Sequence, residues 1–376
     1  MLGIYIHIPF CKQKCKYCDF NSYSGIENMS SSYVEMLVRE IECCGQTGRT
    51  ADTIYIGGGT PTYISAGYIK NIMDALRENF VITDDAEVTI ECNPGTADFE
   101  KLARLKQAGI NRLSIGLQSD NDKILKTLGR IHTYEEFRKC LGDALKAGFE
   151  NISADLMFGL PGQTRDIWIN TLKNISVLPL SHISAYSLKI EEGTPFYNMY
   201  KNGSHDIPDD DMNRIMYDDC TEILTQNGFE RYEISNFARD KKLSRHNMKY
   251  WQCENYIGFG AGACSCIGGK RTANIRGVSE YIEEIRQSGS AVTPDETVIN
   301  TISDSMSEFV FLGLRLDKGV SKADFKSKFG MDIYEVFDTV LDKHLNRTKT
   351  ITDTETHIKI KPEYTYVSNA IMADFV

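Results

Sequence analysis

The stretch "YIHIPFCKQKCKYCDF", residues 5–20, runs an apolar strand directly into three cysteines, Cys11, Cys15 and Cys18, spaced C-x3-C-x2-C. Three thiols on one loop leave a tetrahedral site one ligand short. Iron–sulfur clusters, too, are usually held by four thiolates. One reading of the spacing is a [4Fe–4S] cube with one iron left for a bidentate small molecule. The other is a zinc site completed from elsewhere, although the tight pair Cys264-x-Cys266 lies far along the chain in a glycine-rich loop. Lys12, Lys14 and Lys16 would offset a cluster's charge and favour thiolates, or form a solvated loop face.

Outward from this loop, short apolar runs alternate with amphipathic helical segments. Strands are expected over 3–8, 52–59, 86–94, 110–119, within 149–162 and over 182–190. Helices are expected over 31–44, 65–79, 97–108, 120–128, 133–147 and 164–176, the first with Val34, Leu37, Val38 and Ile41 on one face. Such alternation implies right-handed βαβ units on a parallel sheet. Six units, not eight, predict an α/β fold built as a partial (β/α)6 barrel of TIM type. Sites in such sheets form at the carboxyl ends of strands, and Gly57–Thr60, Glu91, Gln118 and Asp155 all fall there.

Residues 1–285 are expected to form the barrel and its extension, and 286–298 a Gly/Ser/Pro linker. Residues 299–376 should form a small helical domain with a β-hairpin wing. "GFGAGA" (258–263) matches a dinucleotide fingerprint, but "CSCIGGKR" follows it and is not helical, so that reading is rejected. Cys43, Cys44, Cys92, Cys140 and Cys220 are expected to be buried, Cys264 and Cys266 to pack, and His7 to be a satisfied core histidine.

The 376 residues are 41% hydrophobic and 25% charged, an ordinary globular balance. A net charge of −10 (42 basic against 52 acidic) argues against broad nucleic-acid binding. No secretory h-region and no apolar run near the ~20 residues of a membrane span are present. A cytoplasmic protein with reduced thiols is expected.

The cysteine loop after a first strand resembles the radical S-adenosylmethionine superfamily. "IYIGGGTPT", "ECNPGT", "RLSIGLQS", "LGRIHT" and "ADLMFGLPGQT" occur in the order found in the oxygen-independent coproporphyrinogen III oxidase-like family, over about residues 3–280. The resemblance implies a [4Fe–4S] cluster on Cys11, Cys15 and Cys18, with Tyr5 nearby, and S-adenosylmethionine on the open iron. Gly58, Gly59 and Thr60 would meet the ligand's amino and carboxylate groups, Glu91 its ammonium and Arg130 its carboxylate. Gln118 and Asp155 would bond the ribose, and Tyr17, Tyr186 and Leu188 would pack on the adenine. Read as residues alone, the glycines are also a tight turn, Arg130 a surface ion pair and the aromatics plain core.

Within the family, Phe20 where the oxidase has a fourth cysteine, and Met1 only four residues before Tyr5, resemble the haem-chaperone branch. That branch's H-N-x-x-Y-W motif matches "HNMKYW" (246–251), implying His246 as a haem-iron ligand and Tyr250 and Trp251 as a stacking shelf. The bland reading is an aromatic core patch with a hydrogen-bonded histidine. The resemblance also implies a departure: that branch usually carries a histidine in the loop position where this chain has Cys264. Implied partners are haem as cargo, a haem-acceptor protein and an electron donor such as flavodoxin or ferredoxin, with peripheral membrane association and a homodimer both compatible. The competing function is coproporphyrinogen oxidation or another tetrapyrrole modification.

Overall fold

The computed structural model of the chain describes residues 1–44, 48–203 and 206–376. Six parallel strands stand side by side in chain order: β1 (Leu2–Ile8), β2 (Thr50–Gly58), β3 (Val81–Cys92), β4 (Arg112–Gln118), β5 (Asn151–Phe158) and β6 (His182–Ser187). In β1 the alternation of the pleat puts Ile4, Ile6 and Ile8 on one face, all fully buried, and Gly3, Tyr5 and His7 on the other. Each buried isoleucine contributes roughly 1.5–3 kcal/mol. Helices Ser30–Cys44, Ala66–Asn79, Phe99–Gln107, Tyr134–Lys146 and Arg165–Ser176 return the chain between strands. Side-chain caps start four of them, at Ser65, Asp98, Thr133 and Thr164, each satisfying N–H groups that a helix end leaves orphaned.

The barrel is open. β1 and β6 do not pair; the sheet instead continues past each of them. Beyond β1 come Tyr256–Phe259, parallel to it, and then antiparallel Cys264–Ile267, Lys270–Ala273 and Val298–Ile299. Beyond β6 lie Asn236–Ala238 and Glu230–Glu233. The partial (β/α)6 architecture read from the sequence is therefore present, within a twelve-stranded sheet.

A second core gathers Met306, Val310, Leu314, Phe325, Ile333, Leu341, Ile351, Ile358 and Phe375. Around it, helices Ile302–Gly313, Lys322–Phe329 and Ile333–Asp342 meet a three-stranded sheet whose hairpin is Ile351–Asp353 and His357–Ile360. Of residues 286–298, the first three close helix Val278–Ser288, and the rest run along the sheet's far edge, where Val298 pairs with Arg271 and Thr293 N–H donates to Ala273 O at 2.8 Å.

Cys92, Cys140 and Cys220 are buried as expected, but Cys43 is exposed and Cys44 half-buried. These two end the first helix, beyond its buried stripe. Cys264 does not pack either: it is exposed, with Cys266 half-buried, on a strand near the sheet margin.

Candidate functional site

Above the carboxyl ends of β1–β5 lies a cleft, and the cysteine loop forms its outer wall. Cys11, Cys15, Cys18, Tyr17, Gly58, Gly59, Thr60, Glu91, Gln118, Arg130 and Asp155 all line it. The three thiols are free. Each has a polar neighbour: Cys11 Sγ lies 3.6 Å from Thr60 Oγ1, Cys18 Sγ 3.9 Å from Ser22 Oγ, and Arg130 Nη1 donates to Cys15 Sγ at 3.5 Å. Burial pushes the Cys11 and Cys18 thiols up from the ordinary range, so a metal cation would be needed to hold them as thiolates.

The glycines in this wall leave no room for a side chain. A Cβ on Gly59 would stand 2.8 Å from Phe10 O and 2.9 Å from Cys11 Sγ. Gly58 has φ +118, and a Cβ there would meet the His7 ring at 2.7 Å. The backbone can thus be approached closely from the cleft. Lys12 and Lys14 stand on the rim with the exposed Phe20.

Glu91 accepts hydrogen bonds from Tyr55 OH at 2.9 Å and from Gly58 N–H at 3.1 Å. Burial, in which Asp155 assists, pushes its carboxyl up to about 7. Asp155 accepts from Ser114 Oγ at 3.1 Å, and its carboxyl is likewise raised by burial. Arg130 lies between them and the cysteine loop. Its Nη2 donates to Gly116 O and Asn93 Oδ1, and its Nε is buried with no partner. Two half-buried carboxylates, an incompletely bonded guanidinium and three free thiols make a donor set that fits a cube with one open iron and a zwitterionic ligand beside it.

Other expected residues stand elsewhere. Leu188 joins Tyr17 in a small apolar cluster with Leu128, Met157, Leu160 and Phe196. Tyr186 is exposed, and Tyr5 sits below the cleft, stacked on Tyr55 with its hydroxyl 3.0 Å from His7 Nδ1. His7 has both ring nitrogens bonded and is the satisfied core histidine expected. Sequence reasoning missed Asn93, whose Nδ2 donates to Thr60 Oγ1 at 2.7 Å, and Tyr55 and Ser114, which hold the two carboxylates. It also missed His132, which lines the cleft with its ring buried and its pKa held down to about 3 by burial and by Arg130. Their signal was position: Asn93 follows β3 inside "ECNPGT", and His132 follows Arg130 inside "LGRIHT".

His246 stands apart from the cleft. Its helix, Arg245–Trp251, packs under the opposite end of the barrel, near Gly3. The ring is 1% exposed, with Nδ1 bonded to Thr53 Oγ1 and Nε2 to Tyr250 OH, both at 2.9 Å. Burial, with Lys249 and Arg112 nearby, holds its pKa down to about 3. As folded, His246 offers no free nitrogen to an iron. Tyr250 and Trp251, in contrast, line a separate groove of about 1650 Å³ between the barrel floor and the C-terminal helices.

A twelve-stranded α/β sheet with a three-cysteine cleft at its strand ends defines a radical S-adenosylmethionine fold, and residues 5–175 match the radical SAM superfamily. Residues 301–363 match the HemN C-terminal domain. The chain is similar over its whole length to coproporphyrinogen III oxidase (HemN) from Escherichia coli, at 25% identity and TM-score 0.88, covering 89% of that structure. It is 38% identical to the heme chaperone HemW of Bacillus subtilis, with 100% of this chain and 99% of that protein covered. It is also 32% identical to the mitochondrial radical S-adenosyl methionine domain-containing protein 1 of Danio rerio, over 85% of this chain and 74% of that one. The chain belongs to the HemW family.

Proposed function

We propose that this chain is a haem chaperone: it binds haem as cargo and passes it to acceptor proteins such as respiratory enzymes. The observation that carries this reading is end-to-end similarity to a heme chaperone HemW. Cys11, Cys15 and Cys18 would hold a [4Fe–4S] cluster, with S-adenosylmethionine against Gly58, Gly59, Thr60, Glu91, Arg130, Gln118 and Asp155. When bound, the cluster would supply one-electron reduction to the ligand those residues hold. The chain's own groups orient that ligand, Arg130 gripping its carboxylate and Glu91 facing its ammonium. Tyr17 and Leu188 would border the adenine. An electron donor such as flavodoxin or ferredoxin would serve the cluster, in the cytoplasm, and residues 299–376 would act as a separate unit. Among the described residues no helix is long and apolar enough to cross a membrane. The oxidase reading is set aside because Phe20, exposed at the cleft rim, stands where that enzyme's fourth cysteine would be.

Anaerobic reconstitution, followed by parallel assays of haem binding and coproporphyrinogen III decarboxylation, tests the reading. One haem per monomer and no decarboxylated product are expected, with strong reductant and S-adenosylmethionine present. Product over many turnovers would overturn the chaperone assignment. Cys18→Ala should fail to hold a full complement of iron and sulfide; an unchanged content would remove the cluster assignment.

A further inference from the structure

Beneath the cleft, the barrel interior holds a cation without a partner. Along β4 the pleat puts Arg112, Ser114, Gly116 and Gln118 on one face, and the last three line the cleft. Arg112 is the next position down that face, about 7 Å deeper. On β3, Glu91 lines the cleft in the same way, and Thr89, one pleat below it, is the register partner of Arg112. Thr89 and Arg112 therefore stand side by side inside the barrel.

Arg112 is only 2% exposed, yet among the described residues its guanidinium makes no hydrogen bond and no ion pair, and its Nε is enclosed. The hydroxyls of Thr89 and of Ser244, which begins the helix closing the barrel floor, are enclosed without partners too. Burial first, then the cation itself, keeps His182 deprotonated; its ring nitrogens meet Ser153 Oγ at 2.7 Å and Tyr232 OH at 2.9 Å. The interior carboxylates are engaged elsewhere. Glu87 accepts from the Arg245 and His246 N–H groups at 3.1 Å, Glu91 from Tyr55 and Gly58, and Asp155 from Ser114. Asp155 feels the Arg112 charge, but too weakly to offset its own burial. An arginine this deep is almost never left unpaired, because a lone buried charge forfeits its hydration with nothing in return.

We propose that Arg112 and Thr89 form an anion site inside the barrel, one layer below the cleft, for a small carboxylate of formate size. The free Nε edge of a guanidinium presents two parallel donors that match the two oxygens of a carboxylate, and the Thr89 hydroxyl supplies a third. The cleft above is the route from solvent. Binding makes and breaks no covalent bond, and it is independent of the haem-chaperone reading.

The test titrates sodium formate into the full-length, cluster-loaded protein under anaerobic conditions, with the bulky sulfonate MES matching ionic strength in the control arm. The wild-type thermal midpoint should rise in formate and level off as the site fills, whereas in MES it should not saturate. Arg112→Met, uncharged and of similar length, should lose the formate response and be at least as stable as wild type without formate, since the unpaired charge is gone. Thr89→Val should weaken formate binding about fivefold. Crystals soaked in sodium bromide should show an anomalous peak beside Arg112 Nε. An equal rise in wild type and Arg112→Met would be a general salt effect and overturns the site. So does a wild type indifferent to formate, which would mean that the chain's own carboxylates neutralise Arg112. Should Arg112→Met fail to fold, Thr89→Val and the bromide map decide: unchanged formate affinity with no peak at Arg112 overturns the proposal. None of these readouts involves haem, so the chaperone reading stands or falls separately.

Discussion

Arg130 and Glu91 show how single residues shape the cleft. Arg130 has spent two donors on Gly116 O and Asn93 Oδ1 and one on Cys15 Sγ, leaving its buried Nε for a ligand. A hydrogen bond to a charged group contributes about 1.5–3 kcal/mol, so Arg130→Ala should weaken S-adenosylmethionine binding about tenfold to a hundredfold. Calorimetry on cluster-loaded protein measures this, and unchanged affinity would reduce Arg130 to a structural prop. Glu91 was legible as a candidate because strand ends of a parallel sheet collect sites, and "GGGT", "ECNP" and "GLQS" end strands; Arg130, just past helix Asp122–Leu128, was named only through the family resemblance. The setting of His246 was hidden for an equally physical reason. A sequence shows a histidine beside two aromatics but not the partners of its ring, and Thr53 and Tyr250 were invisible until the helix was seen packed under Gly3. The same fact gives a prediction. His246→Ala leaves the hydroxyls of Thr53 and Tyr250 without partners, at about 1–3 kcal/mol for the fully buried Thr53 and less for Tyr250, which borders the groove. The thermal midpoint should fall, and an unchanged midpoint would show that water replaces the ring at no cost.

At the scale of elements, one carboxylate ties three of them together. Glu40 on helix Ser30–Cys44 accepts from Gly260 N–H at 2.9 Å, Asn274 Nδ2 at 2.6 Å and Tyr281 OH at 2.6 Å. It thereby locks the "GFGAGA" loop to the first helix and to helix Val278–Ser288. The loop needs its glycine: Gly260 has φ +103, and a Cβ there would stand 2.6 Å from both His7 O and Tyr33 OH. From the sequence the fingerprint could be rejected for want of a helix, but its structural purpose depended on Glu40, more than two hundred residues away. Burial raises the Glu40 carboxyl to about 7 from 4.5. The folded chain thus keeps a proton that the unfolded chain releases, and the stability this gives is full below 4.5 and lost as pH rises to about 7. On the order of 3 kcal/mol is at stake. Glu40→Gln cannot titrate, so its stability relative to wild type should rise across that window in denaturant melts. A wild-type–variant difference independent of pH would sink the argument.

The whole molecule is held at a seam where the sheet's edge meets the C-terminal helices. Glu233, fully buried on the edge strand, accepts from Ser235 N–H and Asn236 Nδ2 and faces Arg315 Nη2 at 3.4 Å. Arg315 also lies 4.2 Å over the Trp251 ring, which lines the groove beneath the barrel. Beside it, Arg231 Nε pairs with Asp317 at 3.0 Å, and Leu316 bridges to Glu233. A helical unit with a hairpin could be read from the glycine stop at Gly330 and the β-rich tail; its docking on Glu233 could not, because neither residue of the pair stands in a motif. Removing one partner of a buried pair leaves an uncompensated charge, which costs about 3–5 kcal/mol. Arg315→Ala should therefore destabilise the protein on that scale and shift Trp251 emission to the red, while Trp168, fully buried with its indole N–H donating to Met216 O at 2.8 Å, stays unchanged. Adding Glu233→Gln removes the orphaned charge, so the double variant should recover part of the loss. Recovery absent from the double variant would mean that the cation's value lies in covering Trp251 rather than in neutralising Glu233.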